Sequence, residues 1–232
     1  MFPLKDTIRS RSFPAVNWLL IIANVLVFIL IEWPLSSTQL DRLVMTFGLV
    51  PARLVAVQPQ AILSIFTSMF MHGGWLHLIS NMWALYIFGD NVEDRMGPVR
   101  YLAFYLLSGV VAALTQTWLG PSSRTPLIGA SGAIAGVLGA YLILFPTSRV
   151  ITLILLIFLP WFVEIPAVLY LAFWFVLQFF SGLFALQTPA AVGGVAYWAH
   201  VGGFIWGVLL VRLFVRRPPA YHRWYPDEYR PW

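Results

Sequence analysis

The chain has 232 residues and a net charge of +5, with 60% of its residues hydrophobic and only 10% charged. A soluble domain carries about a quarter charged residues, so this composition excludes a water-soluble globule and describes a single-domain polytopic membrane protein. The chain contains no cysteine, which excludes disulfides, thiolate nucleophiles and cysteine metal centres.

Apolar runs predict membrane helices at about 15–31, 75–89, 98–119, 131–145, 165–186 and 194–215. The first is followed by Glu32, Trp33 and Pro34 rather than by a small-residue cleavage site, so it reads as a retained span. Residues 32–74 form a long first external loop whose stretch "LVMTFGLVPARLVAV" is apolar enough to lie partly in the membrane interface. The run "VITLILLIFLPWFV", residues 150–163, is shorter than the roughly 20 residues a span needs, and Pro160 and Glu164 interrupt it. It is expected to be a cytoplasmic-side partial insertion or interfacial segment. The fifth span and its outer loop "LQTPAAVGG" carry no charge and several small residues, and are expected to form a lateral gate.

The basic residues sit at segment ends, which suits facing anionic lipid better than binding nucleic acid. Six spans with both ends cytoplasmic place Lys5, Arg9, Arg11, Arg95, Arg100, Arg149 and the C-terminal arginines inside, and leave Arg42, Arg53 and Arg124 outside. The expected fold is all-α: a six-helix membrane domain over 1–215 and a polar, proline-rich cytoplasmic tail over 216–232. No Arg- and Ser-rich transit peptide is evident, so a prokaryotic plasma membrane is the expected location.

Four polar side chains fall at membrane depth. His77 and Asn81 are four residues apart and share a face of the second span. Ser131 lies between glycines in "PLIGASGAIAG", and His200 opens "AHVGGFIWG". From Ser131 to Phe145 the fourth helix measures only about 22 Å, against a hydrocarbon core of about 30 Å. It is therefore expected to start below the outer surface, with Ser131 in its first turn and residues 121–130 as non-helical backbone buried in protein or lining a wet cavity. Gly129, Gly132 and Gly136 on one side, with Gly203 and Gly207 on the other, are expected to allow close helix packing at the site. That approach would bring the His200 imidazole to the Ser131 hydroxyl, where a neutral base could activate it as a nucleophile. Asn24, Gln116 and Gln178 are expected to make helix–helix hydrogen bonds.

The segments "HLISNMW" followed by "VEDRMG", then "GASGAIAG" and "AHVGGFIWG", resemble the signature segments of the rhomboid intramembrane serine proteases, in the family's order. The resemblance covers about residues 62–215. It implies Ser131 as nucleophile, His200 as base, and His77 and Asn81 as oxyanion-hole side chains aided by the Ser131 amide. Glu93 and Arg95 match a structural pair at the cytoplasmic end of the second span. The implied partners are transmembrane protein substrates within the lipid bilayer, with no cofactor. Ala135 stands where many members carry an aromatic beneath the histidine, so either another aromatic, Trp198 or Phe204, supports His200 or its imidazole is held more loosely. The first loop also lacks the family's frequent Trp-Arg pair.

Plainer readings stand beside these. Ser131 alone would be a packing residue bonded to its own helix, and His200 an interhelical hydrogen bond or a step in a proton path. A catalytically silent pseudoprotease that binds membrane clients has the same architecture. A transporter would need charged groups along a midplane path, and the sequence offers only His77 and His200. A zinc site built from His72, His77 and His200 lacks both an HExxH motif and a nearby carboxylate, so no metal is expected. His72 is expected at the rim of the external loop.

Overall fold

A computed structural model describes residues 2–156, 159–187 and 195–216. Strand β1 (Phe2–Asp6) precedes helix α1 (Ala15–Val27), which continues through one wide π turn to Glu32. Pro14 gives α1 no side-chain cap. The first amides of a helix have no partner inside it, and here Val16 and Asn17 donate to the two carboxylate oxygens of Glu93 at 3.0 and 2.7 Å. A carboxylate at a helix N-terminus also meets the positive end of the dipole.

The expected external loop folds as three short helices: α2 (Ser37–Phe47), α3 (Pro51–Val55) and α4 (Pro59–Thr67). Ser36 and Gln39 form a capping box on α2, while α3 and α4 each begin at a proline, whose missing N–H costs nothing at that position. Helix α5 (Trp75–Ala84) runs through a second π turn into α6 (Asp90–Met96), and α7 spans Pro98–Leu119. Helix α8 covers Ser131–Leu144, strands β2 and β3 cover Arg149–Leu156 and Leu159–Pro166, and helices α9 (Ala167–Gln187) and α10 (Tyr197–Phe214) follow.

The fold is mostly helical but not all-α. The segment expected to insert or lie flat is a β-hairpin, and β1 extends it to a three-stranded antiparallel sheet in the order β1-β2-β3. Its register runs from Arg149 opposite Pro166 to Leu156 opposite Leu159. The run is rich in β-branched residues, which favour a pleated strand, and two strands of 8 residues satisfy each other's backbone where one short helix could not cross. The sheet is tied to the bundle by Tyr141, whose hydroxyl donates to Asp6, and by Val150 and Thr152, which are fully buried.

Among the described residues, four helices are long and apolar enough to span a membrane: α1 with its π turn, α7, α9 and α10. A fifth appears if Pro59–Phe70 and Trp75–Met96, bent by 79°, are one broken span. The chain is thus a multi-pass membrane protein with four to five candidate spans, fewer by length than the six apolar runs suggested. With the bent pair counted as one span, the difference is α8, whose 14 residues reach about 21 Å. Helix α8 needs no lipid contact, because α7 and α10 cover it and Ala133, Ala135, Val137, Ala140 and Tyr141 are essentially inaccessible. A helix apolar on every face belongs in a core.

Small residues set the spacing at that core. A side-chain carbon at Gly203 would overlap the Gly132 carbonyl oxygen, one at Gly207 would overlap that of Gly136, and one at Gly139 would overlap that of Phe204. Gly136 also faces Ser108 of α7, so α8 is gripped from two sides. Helix α9 is the least enclosed long helix, with 17% of its span buried and Leu169, Phe173, Phe180 and Phe184 turned outward. Most of the expected gate loop (188–194) and nearly all of the expected tail (217–232) lie outside the described residues.

Candidate active site

Ser131 is the first residue of α8, and His200 lies in the first turn of α10. The non-helical segment before Ser131 is held by backbone bonds to the first-loop region. Leu127 and Leu49 exchange bonds of 2.7 and 3.0 Å, and the Gly129 amide donates to Ser68 O at 2.8 Å. Irregular backbone survives in a membrane protein only where protein satisfies it in this way or where it lines a cavity. Gly129 has φ +122°, and a side-chain carbon there would stand 2.6 Å from His77 Nε2. Its part is therefore not helix packing, as the sequence suggested, because it precedes the helix. It turns the chain into α8 and leaves room for the His77 ring.

The α8–α10 approach brings Ser131 Oγ to 2.7 Å from His200 Nε2. On the other side of the ring, Nδ1 lies 2.8 Å from Gln178 Oε1 of α9. An amide oxygen only accepts, so with this orientation Nδ1 carries the proton and Nε2 accepts from the serine hydroxyl. That is the protonation state a general base requires.

His77 and Asn81 reach the same place from α5. They line a cavity of about 730 Å³ together with Trp75, Ser131, Trp174 and His200. One N–H of the Asn81 amide donates to the His77 carbonyl at 3.0 Å, which fixes the side chain and leaves its second N–H available. Helix α8 presents its first amides and positive dipole end where Ser131 stands. A hydroxyl, an imidazole nitrogen placed to accept its proton, and the Asn81 and His77 side chains thus face one open volume.

Residues 59–217 match the family model described as the Rhomboid domain. The chain belongs to the rhomboid family. It is 33% identical over 151 residues to Rhomboid protein 1, mitochondrial, of Saccharomyces cerevisiae, covering 63% of this chain and 40% of that protein. It is 29% identical over 198 residues to Presenilin-associated rhomboid-like protein, mitochondrial, of Homo sapiens, covering 83% of this chain and 46% of that one. It is 34% identical over 165 residues to Rhomboid-like protein 11, chloroplastic, of Arabidopsis thaliana, covering 66% and 53%. The matches thus cover between two fifths and just over half of these relatives' lengths. Their names place them in mitochondria and a chloroplast, which lends no support to the expected prokaryotic plasma membrane.

Within this rhomboid domain several residues stand elsewhere than expected. The aromatic beside His200 is Trp174 of α9, with ring centroids 5.8 Å apart, and not Trp198 or Phe204. Phe204 stacks on Phe175 behind it, and Trp198 packs against Phe179 and Gly182. Ala135 lets the helices close, and the missing ring is supplied from a different helix. His72 is not at a rim but fully buried, its amide donating to both oxygens of Glu32 at 3.1 Å and its ring 5.0 Å from that of His77. Glu93 caps α1, while the Arg95 guanidinium lies over the Phe145 ring at 5.7 Å. Gln116 bridges helices as expected, receiving the Ala199 amide at 3.2 Å, whereas Asn24 turns its N–H back to Leu20 of its own helix at 2.8 Å. Gln178 also bridges helices as expected, from α9 to His200 of α10, and the signal available for Trp174 was its i, i+4 spacing from Gln178.

Proposed function

We propose that this rhomboid-family chain is an intramembrane serine endopeptidase that hydrolyses peptide bonds in or near transmembrane segments of other membrane proteins. The observation that carries the reading is the 2.7 Å contact between Ser131 Oγ and His200 Nε2 at an open cavity. Ser131 Oγ attacks the scissile carbonyl carbon while His200 Nε2 takes the hydroxyl proton. The oxyanion is received by the Ser131 amide, the free N–H of Asn81 and the His77 ring. Collapse breaks the C–N bond, His200 returns its proton to the leaving amine, and an acyl-serine remains. Water then attacks that ester, with His200 again taking the proton and giving it back to Ser131 Oγ.

The topology belongs to the same proposal. Six embedded helices place both ends on the cytoplasmic side, with α8 starting below the outer surface and the first-loop helices partly in the interface. Water reaches Ser131 through the cavity, and a substrate segment comes in beside α9, the helix with least cover. A regular helix hides its carbonyls in internal bonds, so the substrate unwinds locally, which favours small or helix-breaking residues near the cut.

The test is cleavage of a labelled transmembrane peptide by the purified chain in detergent, with Ser131→Ala and His200→Ala beside it. Wild type cleaves and both variants lose activity. Cleavage persisting in both variants would remove the dyad, and a wild type that neither cleaves nor reacts with a fluorophosphonate at Ser131 would be a silent pseudoprotease.

A further inference from the structure

The imidazole of His200 is held on three sides, and two of the three contacts come from one helix that lies outside the Ser131–His200 pair. Gln178 Oε1 stands 2.8 Å from Nδ1, and Trp174, one turn earlier on α9, tilts over the ring at 5.8 Å and 34°. The remaining contact is Ser131 at Nε2. Resting on the serine-protease reading above, we propose that Gln178 is the positioning residue of this site, completing a Ser131–His200–Gln178 relay in which a neutral amide does what a carboxylate does in a triad.

The chemistry follows from which atoms can donate. A neutral imidazole carries one N–H, and which nitrogen holds it depends on the partner of the other. If Nδ1 had no acceptor, either tautomer would be open, and the one with the proton on Nε2 could not take another from Ser131. Gln178 Oε1 removes that alternative. When His200 receives the serine proton, Nδ1–H donates from a charged ring, and the bond to Oε1 strengthens as the transition state forms. Among the described residues no carboxylate lines the cavity, and beside Ser131 and His200 its polar side chains include His77, Ser80 and Asn81 of α5. Gln178 is thus the group placed to orient the ring. The amide stays uncharged throughout, which avoids burying an anion beside lipid.

The location has a consequence. Gln178 and Trp174 ride on α9, so the base is fully oriented only while α9 is seated against α10. Displacement of α9 would release both contacts together and leave His200 free to turn from Ser131.

The test uses the full chain in detergent with the labelled transmembrane peptide, comparing wild type, Gln178→Leu and Gln178→Glu, with ¹⁵N-histidine spectra of each. Gln178→Leu keeps the bulk and removes the acceptor. It should lower kcat by about 10–100-fold with KM within about twofold, by analogy with the loss of the partner that orients a metal-bound histidine. Its His200 spectrum should change from a single Nδ1-protonated form to a tautomer mixture. Gln178→Glu restores an acceptor and should recover most of kcat and the single tautomer. Gln178→Leu with wild-type kcat and an unchanged tautomer would overturn the proposal, and so would Gln178→Glu showing the mixture. The spectra judge Gln178 even if wild type cleaves nothing, so failure of the protease reading and failure of this inference remain separate results.

Discussion

Gly203 of α10 is seated against Gly132 of α8 with no room for even one methyl group, since a side-chain carbon there would overlap the Gly132 carbonyl oxygen. Ser131 precedes one of these glycines and His200 lies one turn before the other. The 2.7 Å contact between them is therefore set by how closely two backbones can approach. Fixing two side chains on rigid elements in this way converts packing directly into their mutual orientation.

Gly203→Ala and Gly207→Ala should each force the helices apart. Each should destabilise the protein by about 1–3 kcal/mol, as overpacking does. A shift on the order of 1 Å at the serine would cost roughly 10²-fold in kcat. Gly120→Ala is the control, because its added carbon would meet nothing nearer than 3.6 Å and should change stability by less than about 0.5 kcal/mol. Unfolding titrations in mixed micelles, run beside peptide cleavage, measure both effects.

Asn81→Ala should lower kcat by roughly 10²-fold while leaving KM little changed, the signature of a donor that acts on the transition state and not on bound substrate. Steady-state kinetics on the labelled peptide check this, and a change confined to KM would count against the oxyanion role.

Gly129→Ala combines two faults at one position. Alanine is strained at φ +122°, by about 1–3 kcal/mol, and its methyl would press on the His77 ring. The variant should remain folded in detergent yet react much more slowly with a fluorophosphonate, because the cavity wall beside Ser131 has moved. Normal labelling would show that the turn tolerates a side chain.

Glu93→Ala should destabilise the bundle by about 2–3 kcal/mol, because it leaves the Val16 and Asn17 amides without their charged acceptor. Glu93→Gln keeps one acceptor oxygen and should lose about half as much. Thermal unfolding followed by tryptophan fluorescence distinguishes the two, and equal stability for all three proteins would mean that water replaces the cap.

Much of the helical frame was legible because apolar runs and glycine spacing are local signals. The brevity of α8 could be counted from Ser131 to Pro146, and the helix does begin at Ser131, where its first turn was expected. The sheet was not legible. β1 is five residues long and pairs with a strand almost 150 positions away, so no local period marks it. The burial of His72 was equally hidden, since its partner Glu32 lies 40 residues earlier at the end of another span.

By itself the sequence determined that the protein lives in a membrane, that one central helix is too short to cross it, and which serine and histidine stand on surfaces small enough to meet. Those properties depend on composition and spacing along the chain. Only the tertiary structure decided that Trp174 and Gln178 flank the imidazole, that Glu93 caps α1, and that Gly129 makes room for His77. Each of these is a contact between segments far apart in sequence, where direction and distance are set by how the helices cross and not by the order of residues within them.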